Sequence, residues 1–134
     1  MAGSSGLQHL FVYGTLKRSF NHPMHALLVQ HAKFAGPATL CGRMYRVAHY
    51  PGVVRSDDPA QVVQGELYRV HDAKVLFAAL DDYEECSPAH PLPHEYDRAL
   101  CPVLLPDGSS LSAWVYLYVR EVSALPLIAS GCFD

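Results

Sequence analysis

The stretch EYDRALCPVLLPDGSSLSAWVYLYV, residues 95–119, restricts the fold more than any other part of the chain. Two runs of strand-forming residues flank Pro106-Asp107-Gly108-Ser109-Ser110, a composition that turns a chain back on itself. An antiparallel pair is therefore built in. Leu10–Tyr13 reads as an earlier strand, and FAGPATLCGRMYRV as strand sequence broken by Gly36, Pro37 and Gly42, as at a sheet edge or in a bent strand. HYPGVVRSDDPAQ reads as a turn, a short apolar stretch and a polar loop. VVQGELYRV is another strand, with Gly65 marking a bulge or a close approach.

Helical spacing occurs twice. Pro23 suits a first turn, Asn21 or His22 a cap, and Met24, Leu27, Leu28 and His31 recur on one side, predicting a helix to about Ala32. Asp72 is the expected cap of a second helix whose inward face is Val75, Leu76, Ala79, Leu80 and Tyr83. CSPAHPLPH, with three prolines, must be a loop. Two helices among five or six strands make an α+β fold, with connections too short for a wound parallel sheet. The expected layout is a flexible end over residues 1–9, one domain over 10–120, and an aperiodic apolar tail over 121–134 that packs on it.

Composition excludes several roles. A chain of 134 residues with net charge −3 has no basic footprint for nucleic acid. No apolar run reaches the 18 residues of a membrane span, and the start lacks the pattern of a secretory signal, so a cytoplasmic protein is expected. Cys41, Cys86, Cys101 and Cys132 show no paired spacing and read as free thiols. His90, His94 and Cys86 have a spacing zinc could use, but the intervening prolines preclude a helix presenting both rings, and no metal is expected.

Two places could carry chemistry. Glu84 follows the apolar helix by one residue, where lost hydration would raise its pKa and make it a base near neutrality. Asp81, Asp82 and Glu85 crowd it, so a solvated acidic helix end is the competing reading. The turn Tyr13-Gly14-Thr15-Leu16 could aim backbone N–H groups at a carboxylate or an oxyanion, or simply end a strand. Arg98 and Lys17 could anchor a carboxylate, although an arginine at a strand end also suits a surface ion pair. Tyr116 and Tyr118 share one side of the last strand with Trp114, in a core or at a ligand.

The order of these pieces resembles the γ-glutamylcyclotransferase-like family, in its small AIG2-like branch. The matching residues are VYGTLKR (Val12–Arg18) with Asn21-His22 behind it, GRMYRVAHYPGVV (Gly42–Val54), VQGELYRV (Val63–Val70), LDDYE (Leu80–Glu84), YDR (Tyr96–Arg98) and AWVYLY (Ala113–Tyr118). The resemblance implies a compact mixed β-barrel of five to six strands with two or more helices against it and a cavity near one end. It implies that Tyr13, Gly14, Thr15 and Leu16 line that cavity and that Glu84 is the catalytic acid/base; Tyr118 and Arg98, from the reading of the residues themselves, are the further substrate contacts expected. The implied reaction closes a γ-glutamyl group on itself and releases 5-oxoproline, without a cofactor. The implied partner is a small γ-glutamyl amine or peptide, for a monomer or weak homodimer. Two departures bear on the substrate: Glu85 stands where the family often has glycine, and the segment from Glu84 to Tyr96 is long and rich in proline. A binding module for a small carboxylate, or an enzyme removing a γ-glutamyl protecting group, are the rival readings.

Overall fold

The computed structural model describes residues 8–14, 23–48, 50–84 and 94–133. Strands β1 (Gln8–Val12), β2 (Ala32–Arg46), β3 (Pro51–Arg55), β4 (Val62–Val70), β5 (Tyr96–Leu104) and β6 (Ser110–Tyr118) accompany helices α1 (Pro23–His31) and α2 (Ala73–Tyr83). The sheet runs β3-β2-β4-β1-β6-β5, and a β2–β5 pairing at Thr39 and Leu104 closes five strands into a barrel, with β3 as an extra strand on β2. All pairings are antiparallel except β1–β6, parallel through Leu10 and Trp114. The mixed barrel with two helices agrees with the expected fold.

Alternation along the strands sorts the apolar residues into two cores. Phe11, Leu40, Met44, Val53, Val63, Leu67, Cys101, Val103, Ala113 and Val115 are buried together, drawn from all six strands and from neither helix; they fill the barrel. Leu10, Val12, Tyr68, Val70, Tyr96, Tyr116 and Tyr118 point the other way and meet Leu28 of α1 and Leu76, Phe77 and Leu80 of α2. β1, β4, β5 and β6 thus carry both cores on opposite faces, which is why near-continuous apolar runs such as Ala113–Tyr118 are needed.

Where a sheet edge or a bent strand was expected around Gly36 and Pro37, a single strand of 15 residues runs through. The break survives as a bulge: Phe34 pairs with Tyr68 but Gly36 with Leu67, so Ala35 is extra. Gly36 has φ 126°, a conformation side chains disfavour. The added residue reverses the strand's phase. Before it, Ala32 and Phe34 serve the outer core; after it, Ala38, Leu40 and Met44 serve the barrel interior. Gly65 marks a close approach, not a bulge: its register is unbroken, and a Cβ there would lie 2.5 Å from Phe11 Cζ.

Residues past β6 lie along the distal half of β2. Arg46 N–H donates to Pro126 O (2.9 Å), Ile128 N–H to Met44 O (2.7 Å) and Gln64 N–H to Gly131 O (2.7 Å), and Phe133 is buried in the barrel core. Among the described residues no helix is long and apolar enough to cross a membrane.

Candidate active site

The inward face of α2 is not the one expected. Leu76, Phe77 and Leu80 are buried, while Val75 and Tyr83 are 49% and 39% exposed. Tyr83 therefore points outward, and the buried stripe runs from Leu76-Phe77 through Leu80-Asp81 to Glu84, at helical spacing. Two of the clustered acids, Asp81 and Glu84, thus occupy the packed face, and Asp82 faces solvent. Asp72 is the N-cap residue but makes no side-chain cap bond; its carboxylate lies 3.4 Å from His31 Nδ1 at the end of α1.

Asp81 is neutralised. It accepts hydrogen bonds from Arg98 Nε (2.9 Å) and Nη2 (3.1 Å) and from the Tyr116 hydroxyl (2.6 Å). The Arg98 guanidinium also lies over the Phe77 and Trp114 rings, 4.3 and 4.6 Å from their centroids. Arg98 is thus part of the bolt fastening α2 to β5 and β6. Of its two sequence readings, the ion pair is formed, with Asp81 and partly buried.

Glu84 is treated differently. It ends the helix with its N–H bonded to Leu80 O (2.8 Å), and its carboxyl makes no hydrogen bond or ion pair among the described residues. Burial, and next the nearby Glu95 carboxylate, push its pKa up to about 7. No cation or hydrogen-bond donor among the described residues offsets them. That is the behaviour of a carboxyl placed to exchange protons near neutral pH.

The walls around it come from four strands. Tyr13, at the end of β1, is buried and donates its hydroxyl to Tyr116 O (2.6 Å). Burial raises its pKa well above the tyrosine range, and the Glu84 charge adds to that. Tyr96, opening β5, donates to Pro51 O (2.7 Å) at the start of β3. Burial drives the Tyr96 pKa upward too, followed by the charges of Tyr13, Glu84 and Glu95. Tyr118, at the end of β6, meets Tyr96 edge-on at 5.4 Å and lies against Gly52, where a Cβ would come within 2.8 Å of its ring. Gly14 completes the corner: a Cβ there would be 3.0 Å from Pro51 Cγ. Tyr13, Gly14, Tyr118 and Glu84 thus gather around Pro51 and Tyr96 at one end of the barrel. Thr15, Leu16 and Lys17 lie outside the described residues, as do Asn21, His22, Cys86 and His90. His94 pairs with Asp97 (2.9 Å).

Sequence reasoning missed Tyr50, Glu95 and the part played by Tyr96. Tyr50 donates to Glu95 Oε2 (2.5 Å), and its own pKa is pushed up to about 12 by burial and then by that bond. Tyr50 and Tyr96 each lay inside a quoted motif, which was the available signal; Glu95 lay one residue outside one.

The family described as "Gamma-glutamyl cyclotransferase, AIG2-like" fits residues 10–134. The chain is similar to the Gamma-glutamylcyclotransferase family protein YtfP of Escherichia coli K12, with 34% identity over 91% of this chain and 92% of that one. It is similar to the Gamma-glutamylaminecyclotransferase of Mus musculus, with 30% identity over 90% and 86%. The crystal structure of an AIG2-like protein from Mus musculus superposes with a TM-score of 0.72 at 28% identity, covering 96% of this chain and 88% of that one.

Proposed function

The chain belongs to the gamma-glutamyl cyclotransferase, AIG2-like family, and from that premise we propose that it cyclises the γ-glutamyl group of a small γ-glutamyl amine or peptide, with Glu84 as general acid/base. The observation carrying this reading is the Glu84 carboxyl at the end of α2: largely out of solvent, without a hydrogen-bond donor among the described residues, and with its pKa pushed up to about 7 by that burial and by Glu95.

The substrate brings both reactants. Its α-ammonium must lose a proton before the nitrogen can attack the γ-carbonyl carbon. The α-amino group titrates above neutrality, so a carboxyl whose pKa has been raised is a better matched proton acceptor than an ordinary one. Glu84 takes that proton, the nitrogen–carbon bond closes the five-membered ring, and a tetrahedral oxyanion forms. As the oxyanion collapses, the protonated Glu84 hands its proton to the departing nitrogen and the original amide bond breaks. The ring nitrogen's second surplus proton follows, so 5-oxoproline and an ammonium ion leave, with atoms and charge balanced. No electrons change hands and no cofactor is required. Holding one molecule folded replaces much of the entropic work of a bimolecular reaction, and that is the task assigned to Tyr13, Gly14, Tyr118 and the amides of Thr15 and Leu16.

Incubation with a panel of γ-glutamyl amines and γ-glutamyl dipeptides, followed by an assay for 5-oxoproline, tests the proposal. At least one compound is expected to yield 5-oxoproline and free amine in equal amounts, with kcat/KM rising as Glu84 ionises through about pH 7. Ligands that raise the melting temperature yet are recovered intact would identify a binding module and overturn the reading. Release of glutamate in place of 5-oxoproline would make the protein a hydrolase.

A further inference from the structure

The same end of the barrel holds a second carboxylate that this mechanism leaves idle. Glu95 stands immediately before β5, and its carbonyl accepts the Val119 N–H (2.9 Å) just past β6, which pins its backbone at the strand ends. Its side chain accepts the Tyr50 hydroxyl at 2.5 Å. The Tyr50 ring packs against Tyr96 at 6.2 Å, and Tyr96 against Tyr118 at 5.4 Å. An aromatic rim therefore holds the carboxylate in place.

We propose that Glu95, fixed by Tyr50, anchors the α-ammonium of the γ-glutamyl substrate, seating that nitrogen between itself and Glu84. The proposal rests on the cyclotransferase reading of the site.

Charge supports it. Among the described residues, the titratable groups facing Glu84 and Glu95 are Tyr13 from β1, Tyr50 from the turn before β3, Tyr96 from β5 and Tyr118 from β6, none of them a cation. Arg98 and Asp81 are bound to each other one turn back along α2. Arg120 acts on Tyr50 through its charge. Among the described residues neither Glu84 nor Glu95 is paired with a cation. Two carboxylates brought together out of bulk water repel each other, and the upward pKa of Glu84 registers it. A bound ammonium removes the repulsion, and tyrosine faces favour the same charge. The two acids divide the work by their surroundings. Tyr50 donates to Glu95, which suits it to holding a cation. Glu84 has no such donor, which suits it to taking a proton.

The test compares γ-glutamylmethylamide with N-methylglutaramate, which lacks only the α-amino group. Both ligands stay intact on the Glu84→Gln protein, so calorimetry gives their affinities. Glu84→Gln is expected to prefer the amine-bearing ligand by about 10- to 100-fold, the worth of one charge-assisted contact. Adding Glu95→Gln should abolish that preference while leaving N-methylglutaramate binding unchanged; adding Tyr50→Phe should weaken it several-fold. A preference that survives Glu95→Gln overturns the proposal, as does failure of γ-glutamylmethylamide to bind at all. A second arm needs no ligand: carbon NMR of the Glu84 carboxyl should show its titration moving down from about pH 7 in Glu95→Gln, and an unmoved titration overturns the pairing of the two acids. A wild-type protein that binds with the expected preference but forms no 5-oxoproline would sink the cyclotransferase reading and leave the anchor standing.

Discussion

Asp81 and Glu84 sit three residues apart on the same packed face of one helix, and their surroundings treat them in opposite ways. Asp81 receives three hydrogen bonds, two of them from an arginine that is itself layered against Phe77 and Trp114. Glu84 receives none among the described residues and has a second carboxylate for a neighbour. One acid has been converted into a structural fastener. The other is kept uncomfortable, which is the condition for reactivity.

The sharpest way to break this contrast is to remove Glu84, the proposed acid/base. Glu84→Gln is expected to lower kcat by roughly 10²- to 10⁴-fold, the usual worth of a general acid/base, in the 5-oxoproline assay. A variant as fast as wild type would end its assignment. The same substitution should stabilise the fold at alkaline pH. A carboxyl with a folded pKa near 7 and an ordinary unfolded pKa of 4.5 binds more protons when folded, so the wild type loses stability as pH rises between those values. Urea unfolding should show Glu84→Gln stabilised by up to roughly 3 kcal/mol at pH 8 and by almost nothing at pH 4. Arg98→Met probes the other acid. Its pair is only partly buried, so a loss of about 2 kcal/mol in stability is expected, with turnover per folded molecule close to wild type. Turnover lost in a folded Arg98→Met protein would restore Arg98 as a substrate anchor. Tyr116→Phe should cost least, about 1 kcal/mol for one hydrogen bond to Asp81, and leave the pH profile of kcat/KM unmoved.

The barrel and its two helices were legible because short apolar runs, turn glycines and helical spacing are local signals. The hairpin around Pro106-Asp107-Gly108 formed as read, β5 pairing with β6 along its whole length. The face of α2 was misread because its stripe ends in two acids, and a hydrophobic pattern has no means of marking a buried carboxylate. Val75 and Tyr83 filled the gap in the pattern and face solvent instead. Glu84 was found through its motif and its odd position. Glu95 and Tyr50 were missed as a pair for another reason: 45 residues separate them, and they meet because β3 and β5 begin at the same end of the barrel.

The extra residue at Ala35 has a consequence for how this chain can change over time. Substitutions around it face the usual local tests of size and polarity. A one-codon deletion there would instead exchange indoors for outdoors along the rest of the strand, turning Leu40 and Met44 out of the barrel and Thr39 and Arg43 into it. Relatives should therefore vary in letters across this segment far more readily than in length.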